Sequence, residues 1–333
     1  MQLVIVRKNG RVVMEAVEHE PGEPKSAEVL VRNLYCGASL TEVFAEKDQY
    51  RPAKKPFVPG YDFLGQVVKV GNAVYGLQVG QTVCCLNPKL GAYAEFVMVP
   101  LRYLVIIRRP DKLLEISAAI INYLTASSML LKQAKLTRGQ TCLVYGAAGG
   151  IGTAVLDIAR SKGIHVIGTC SESKWHIVED FGGEYLPGRD SGLVEEVLKR
   201  HPHGVDAVLD AYGAASFKRS AQMLTKNGTL VPYGFFDGCK DPVQSFLLGM
   251  LALVAIKLQK PVRIKGSSIP REVANEPEWY QATLAEIIDK VQSGEYKPII
   301  SRVFKLSEAS EAHRYIERRE SIGKVVLDCT SNS

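Results

Sequence analysis

The chain has 333 residues, 46% of them hydrophobic, and its 41 basic and 35 acidic residues give a net charge of +6. That length has room for two domains with cores of their own, and the charges are scattered rather than gathered in basic runs with interleaved aromatics, which argues against nucleic-acid binding. The seven cysteines include no Cys-x-x-Cys pair, and residues 1–7 have the pattern of a strand rather than of a signal peptide. We therefore expect a reduced, cytoplasmic protein without disulfides.

The first hundred residues have the alternating apolar pattern of a β-rich lobe with few helices. Turn signals occur at Asn9-Gly10, Pro21-Gly22 and Pro59-Gly60. Between them, strands are predicted at residues 4–6, 12–17, 28–35 and 63–70.

A glycine-rich turn at residues 146–152 follows an apolar strand and precedes a helical pattern over residues 153–162. Glycines in such a turn let the backbone approach a pyrophosphate, and the helix N-terminus directs N–H groups and a positive dipole towards it. Ala147 stands at the first glycine position, so the turn alone is a weak signal. A second strand at residues 165–169 completes a βαβ unit, which favours a dinucleotide site over a turn that serves packing only.

Strands and helices alternate from residue 136 onwards. Helices are predicted near residues 175–181, 193–200 and 216–224, and strands at residues 207–210 and 229–233. This alternation is typical of an α/β protein with a doubly wound parallel sheet, whose ligand crevice lies at the carboxyl ends of the strands.

The longest apolar stretch outside the sheet begins at Phe246 and ends at Ile256, and Gly249 interrupts it. It has about half of the roughly 20 residues that a membrane span needs. We expect a core or subunit-contact helix, and a peripheral contact with a membrane surface is the alternative.

The last seventy residues contain a further strand pattern at 262–267 and a helical pattern at 279–292. The tail returns to β character, with strands predicted at residues 303–306 and 324–327 around a helix at 308–317. We therefore expect the C-terminus to return to the first domain.

Seven short segments carry a family resemblance, and they fall in the family's order over nearly the whole chain. They are residues 58–68, 79–83, 91–96, 147–152, 168–169, 294–298 and 323–327. On these segments the chain resembles the medium-chain dehydrogenase/reductase superfamily, and within it the zinc-free quinone oxidoreductase branch to which zeta-crystallin belongs. The resemblance implies a GroES-like β-rich catalytic domain, residues 1–118 and 272–333, a Rossmann NADP-binding domain, residues 119–271, and an active-site cleft where they meet.

Zinc-binding relatives in this superfamily place a Cys and a His at two positions that correspond to Ser39 and Tyr61. Neither residue is a good zinc ligand. Cys36 lies three residues too early, and Cys84 and Cys85 are adjacent on a predicted strand, so their side chains point to opposite faces. We expect no metal.

Without a Lewis acid to stabilise an alkoxide, reduction of a quinone or an activated C=C bond is favoured over alcohol oxidation. The resemblance then implies hydride transfer from a nicotinamide cofactor, followed by protonation of the product. Tyr50 is the candidate proton donor or oxyanion partner, because it follows Ser39 at the family's spacing. Ser39 replaces the family's Asn, and Tyr61 is expected to line the same cleft.

The choice of cofactor depends on the residues after the second Rossmann strand. Enzymes that use NAD place a carboxylate there, which bonds the ribose and repels a 2′-phosphate. This chain has Cys170 at that position, followed by Ser171 and Lys174, and Arg189 is a further candidate partner for the phosphate. Glu172 argues the other way if it turns inward, but we expect NADPH.

The remaining cofactor-binding positions follow from the resemblance alone. Thr125 matches a family threonine near the nicotinamide. The others are at the glycine turn or after later strands: Ala148, Gly149, Gly150, Ile151, Ala211, Tyr233, Gly234 and Phe235.

Three functions stay open on the sequence: an NADPH-dependent quinone, enone or enoyl-thioester reductase; an NADPH-binding adaptor of the vesicle amine transport type with little turnover; and a lens-type structural protein. For the reductase the partner is a small-molecule carbonyl or quinone. We also expect a homodimer, because the apolar, β-branched pattern of residues 262–267 is a plausible edge strand for pairing across a two-fold axis.

Overall fold

The computed structural model describes residues 1–8, 11–49, 55–188, 191–235 and 241–330. The chain divides into two compact units. One consists of Met1–Leu124 together with Ile269–Ser333, and the other is Thr125–Ser268.

The N-terminal part of the first unit is rich in strands, as its sequence predicts. Its elements are β1 (Gln2–Lys8), β2 (Arg11–Val17), β3 (Glu28–Ala38), α1 (Leu40–Glu46), β4 (Asp62–Val70), β5 (Thr82–Leu86), β6 (Phe96–Pro100) and β7 (Leu104–Ile106). The four strands predicted here correspond to β1 to β4. The sequence patterns did not predict α1 or the short strands β5 to β7.

A helical run then leads along the chain into the second unit. It contains α2 (Leu113–Ser127) and, directly after it, a π-helical segment, Ser128–Gln133. The run Leu113–Gln133 has the length and hydropathy of a membrane span, but 78% of its apolar window is buried inside the protein. Burial of this extent is typical of a core helix.

The second unit alternates strands and helices throughout its described residues. Its elements are β8 (Thr141–Tyr145), α3 (Gly150–Lys162), β9 (His165–Thr169), α4 (Trp175–Asp180), β10 (Glu184–Leu186), α5 (Ser191–Arg200), β11 (Val205–Asp210), α6 (Ala214–Met223), β12 (Leu224–Pro232), α7 (Pro242–Gln259) and β13 (Arg263–Ile264). The six strands are parallel and lie in the order β10-β9-β8-β11-β12-β13.

That strand order confirms the predicted doubly wound sheet and fixes where its crevice lies. From β8 the chain adds β9 and β10 on one side, and from β11 it adds β12 and β13 on the other, so the switch point lies between β8 and β11. In open α/β sheets ligands bind at this switch point, beyond the carboxyl ends of the strands. The core beneath it is apolar and fully buried, with Leu143, Val208 and Leu230 from three neighbouring strands.

The C-terminal segment returns to the first unit, as its strand pattern predicts. Its elements are α8 (Ile269–Asn275), α9 (Pro277–Ser293), β14 (Ile300–Lys305), α10 (Ala309–Glu317) and β15 (Lys324–Asp328). β15 pairs antiparallel with β3, and Leu327 lies opposite Cys36. The sheet of this unit has the order β14-β15-β3-β4-β5-β7, with β6 also paired to β3. Residues from both ends of the chain therefore share one sheet.

Candidate functional site

The glycine turn after β8 has the backbone conformation that a dinucleotide site requires. Gly146 has a φ of +70°, a left-handed conformation that side chains disfavour. The N–H of Ala147 donates to the Thr169 carbonyl at 2.9 Å, which joins the turn to the end of β9. α3 starts at Gly150 with Gly149 as its N-cap, and no side chain caps it. The N–H groups at this end of a 13-residue helix suit a pyrophosphate.

Gly152 is required by the close packing of α3 against the turn. A Cβ atom at this position would lie 2.3 Å from the Gly146 carbonyl oxygen and 2.5 Å from the Ala147 Cα. Gly168 has a related role on β9, because a Cβ there would lie 2.8 Å from the Ala147 Cβ. The glycine on β9 thus makes space for the alanine at the first position of the motif.

We expect Gly152→Ala to lower the free energy of unfolding by about 1–3 kcal/mol and to weaken dinucleotide binding, because the backbone atoms that its Cβ meets cannot move without displacing the turn. Denaturant unfolding and a fluorescence titration with NADPH measure the two effects. Gly266→Ala is the matched control, since its Cβ would lie 3.7 Å from the nearest atom, the Pro232 carbonyl oxygen. An unfolding curve for the Gly152 variant that equals that of the control would contradict this packing argument.

Asp210 ends β11 at the switch point and holds the following turn and helix. Its side chain is fully buried, and one carboxylate oxygen accepts hydrogen bonds from the hydroxyls of Ser216 at 2.7 Å and Ser220 at 2.6 Å. The other oxygen accepts from the Tyr212 N–H at 2.8 Å. Burial raises the pKa of Asp210, and the hydrogen bonds from the serines and from Tyr212 oppose that rise.

Three tyrosines lie around the end of β11 at the carboxyl edge of the sheet. The rings of Tyr145 and Tyr212 meet edge to face with centroids 5.8 Å apart. The Tyr233 N–H donates to the Asp210 carbonyl at 3.0 Å, and burial, then Tyr212 and Asp210, raise the pKa of the Tyr233 phenol. The sequence reasoning missed Asp210 and the serines. Two signals could have found them: an acid that ends a strand, and serines spaced four residues apart on the next helix.

The residues at the carboxyl end of β9 form the corner of the site, residues 169–174, where the 2′-phosphate of the cofactor is expected. Ser171 precedes a single helical turn, Glu172–Lys174, whose closing N–H donates to the Ser171 carbonyl at 2.9 Å. Burial raises the pKa of the Cys170 thiol, and the positive charge of Lys174 lowers it, so this charge acts at the end of β9.

Two buried hydroxyl oxygens at this corner have no hydrogen-bond partner among the described residues. They belong to Thr169, the last residue of β9, and to Tyr185 on the adjacent strand β10. Buried polar groups are normally paired, so such atoms point to a missing ligand or water. These unpaired hydroxyls, the glycine turn and Lys174 fit a dinucleotide.

Several predicted cofactor residues have defined positions in the second unit. Ala148 lies in the glycine turn, Gly149 is the N-cap of α3, Gly150 and Ile151 are its first two residues, and Ala211 directly follows β11. Tyr233, Gly234 and Phe235 follow β12, and Thr125 is buried in α2. Arg189 lies outside the described residues.

Ser39 occupies the N-cap position of α1 in the first unit. Its backbone N–H donates to Glu42 Oε2 at 3.1 Å, its hydroxyl donates to the same oxygen, and its Oγ lies 2.7 Å from Thr41 Oγ1. Glu42 is buried, and this burial raises the pKa of its carboxyl group. Tyr61, 6% exposed, precedes β4 directly, and Tyr50 lies outside the described residues.

An ion pair between Asp62 and Lys324 is buried beside these residues, and each side chain is 3% exposed. Lys324 Nζ lies 3.3 Å from Asp62 Oδ2 and 3.4 Å from Oδ1. Gly37 leaves space for the pair, since a Cβ there would lie 2.3 Å from Lys324 Nζ. Burial raises the pKa of Asp62, and the Lys324 charge opposes the rise.

The donor set at this position does not fit zinc. Ser39 and Tyr61 are poor ligands, and the Asp62 carboxylate already has a cation beside it. Elsewhere in the described ranges, no cluster of three His, Cys, Asp or Glu side chains could hold a metal ion. Whether the purified protein contains metal stays a prediction.

Family models match segments in both units of the chain. Residues 25–109 match the alcohol dehydrogenase GroES-like domain, and residues 188–327 match the zinc-binding dehydrogenase family. A probable quinone oxidoreductase from Schizosaccharomyces pombe is 27% identical over 99% of this chain and 98% of its own length. The zebrafish synaptic vesicle membrane protein VAT-1 homolog is 30% identical over 92% of this chain, which spans 65% of that relative's length.

A solved structure has the same fold and was determined with a dinucleotide. It is a mycobacterial protein in complex with NADPH, 27% identical, with a TM-score of 0.84 over 98% of this chain and 99% of that one. The fold and the glycine turn thus define an oxidoreductase-type dinucleotide-binding protein. The chain belongs to the medium-chain dehydrogenase/reductase superfamily, in its quinone oxidoreductase-like branch.

Proposed function

We propose that the protein is an NADPH-dependent reductase that delivers hydride to a quinone or to an activated C=C bond without a metal. The observation that carries this proposal is the Asp62–Lys324 pair with the Ser39–Glu42 hydrogen bond. By the family resemblance, Ser39 and Tyr61 stand where zinc-binding relatives have ligands, and neither is a good ligand. Without a Lewis acid, alcohol oxidation loses the ion that would stabilise an alkoxide, whereas reduction needs only hydride delivery and donors for a developing oxyanion.

NADPH, when bound, supplies the hydride from its nicotinamide ring. The start of α3 holds the pyrophosphate through backbone N–H groups, and Gly152 keeps the helix close to β8. Lys174, Ser171 and Arg189 bind the 2′-phosphate. The relatedness to a mycobacterial protein with bound NADPH supports this choice of cofactor.

The proton for the reduced product passes through hydroxyl groups of the first unit. The Ser39 hydroxyl, partly exposed, donates to the buried Glu42 carboxylate, and burial raises the pKa of that carboxyl group. When Ser39 gives its proton to the product, a proton that Glu42 takes up from solvent can replace it at Ser39 Oγ. Tyr50 and Tyr61 remain the further candidates for donor and oxyanion partner.

Oxidation of NADPH with a panel of quinones, enals and enoyl thioesters tests the reductase, and we expect turnover with at least one class. Chelator treatment should leave this activity intact, and Ser39→Ala should lower kcat about 10²-fold or more by removing the proton path. Thr330→Ala, a hydroxyl loss at the end of the described chain, is the control. Elemental analysis that finds one zinc per chain, or activity lost with the metal, would defeat the metal-free mechanism.

An NADPH-binding adaptor with little turnover is the second candidate. The zebrafish relative's name places that protein on synaptic vesicle membranes, and α7 of this chain exposes an apolar face. Tight binding of NADPH with no acceptor reduced across the whole panel would favour the adaptor over the reductase.

A further inference from the structure

The helix α7 exposes an apolar face to solvent. Outward-facing side chains recur along its 18 residues, and the most exposed are Leu258 at 83%, Leu251 at 66% and Leu247 at 56%. The others with large exposure are Val243, Phe246, Leu248, Met250 and Val254. With a rise of about 1.5 Å per residue, this apolar face is roughly 27 Å long.

The opposite face of α7 already anchors the helix in its own unit. Ala252, Leu253 and Ile256 are buried, and the latter two belong to the core around the central sheet. Gly249 lets the helix approach Phe235, whose ring atoms would lie 2.5 Å from a Cβ at this position. The exposed face is therefore additional to what folding requires, and exposed apolar surface of this extent marks an interaction site.

Apart from Asp241, which caps the N-terminus of α7, the charges along this helix and the strand that follows it have one sign. Residues 242–270 contain no Asp or Glu, and their four charged residues are Lys257, Lys260, Arg263 and Lys265, all exposed. Lys257 Nζ lies 3.4 Å from the Val262 carbonyl oxygen and Lys260 Nζ lies 3.2 Å from that of Ala221. None of the four forms an ion pair with a carboxylate within the described parts of the chain.

We propose that α7 lies in the interface of an anionic phospholipid membrane, with its exposed face among the acyl chains and the four cations at the head groups. Amphipathic surface helices bind through buried apolar area combined with attraction between basic side chains and anionic lipids. A second copy of this face is a poorer occupant, since the only carboxylate it could offer the four cations from this stretch is that of Asp241 at the far end of α7.

Co-sedimentation with vesicles tests the proposal on the full chain. We expect binding to vesicles of phosphatidylcholine with phosphatidylserine, weak binding to phosphatidylcholine alone, and weaker binding as salt is raised. Leu247→Glu with Leu251→Glu should lower the partition coefficient about a hundredfold or more, because it removes two exposed leucines that would be buried among the acyl chains. Lys257→Gln with Lys260→Gln should lower it about fivefold for each charge.

The matched control is Tyr75→Glu with Val79→Glu, two exposed apolar residues of the first unit at 82% and 62% exposure. It should bind vesicles as the wild type does, and all variants should keep their unfolding temperature and NADPH affinity. Absence of wild-type binding to the anionic vesicles, or equal binding by the leucine variant, overturns the proposal. A wild-type dimer that the leucine variant converts to monomer in light scattering also overturns it and assigns the face to a second copy. A dimer formed through β13, as the sequence predicts, would persist in that variant.

Discussion

Replacing Lys174 and Arg189 together by alanine should weaken the binding of NADPH by about a hundredfold or more, because each charge-assisted bond to the 2′-phosphate contributes about a tenfold change or more. NADH lacks that phosphate, so its affinity should barely change. The Lys174 charge acts on the Cys170 thiol at the end of β9, the corner where the phosphate is expected.

Nicotinamide fluorescence titrations of both cofactors, in wild type and double variant, measure this selectivity. Lys199→Ala with Lys226→Ala is the matched control, because it removes two exposed positive charges elsewhere in the same unit. Equal losses for NADPH and NADH would mean that Lys174 and Arg189 support the fold rather than the phosphate. A wild type that prefers NADH would overturn the assignment of the cofactor.

Replacing Lys324 by methionine should lower the free energy of unfolding by about 3–5 kcal/mol, since it leaves the Asp62 carboxylate buried without its partner. The double variant Asp62→Leu with Lys324→Met should recover most of this loss, because an apolar pair of similar volume needs no charge compensation. Denaturant unfolding measures both. Lys89→Met, at an exposed position of the same unit, is the control.

The pH dependence of the Lys324 variant follows from the direction of the Asp62 pKa. Burial raises this pKa in the folded protein and Lys324 opposes the rise, so removing Lys324 raises it further. Between the unfolded and folded pKa values the folded state holds the extra proton, and stability therefore falls as the pH rises through that window. The Lys324 variant should lose stability over a wider pH range than the wild type, and its total loss of stability should be larger. A single variant as stable as the control at all pH values would show that the pair is not needed.

The sequence predicted the second unit well because its signals are local. The apolar strand, the glycine turn and the helix pattern lie within thirty residues, and each constrains the backbone directly. β10 was missed, since three residues are too few to show a period. For α7 the sequence left a core helix, a subunit contact and a membrane contact open, because an apolar run does not say which of its sides will meet a core.

The candidate site was less predictable because its decisive contacts are distant in sequence. Asp62 and Lys324 are 262 positions apart, and nothing near either residue indicates that they will meet. Asp210 was missed for a different reason: its serine partners are close in sequence, but an acid followed by two serines also occurs on solvent-facing helices. Local motifs identified the ligand class, whereas the polar groups that hold the site depend on the completed sheet.

The return of β15 to the sheet of the first unit constrains how the chain matures on the ribosome. β15 lies between β14 and β3, so the N-terminal strands wait for residues 324–328, made long after them, before their sheet is complete. The second unit is continuous in sequence and can fold first, because domains fold as units during synthesis. Until Lys324 leaves the exit tunnel, Asp62 has no cation beside it, and a nascent chain that stops short of β15 would carry a folded dinucleotide-binding unit joined to an unfinished partner.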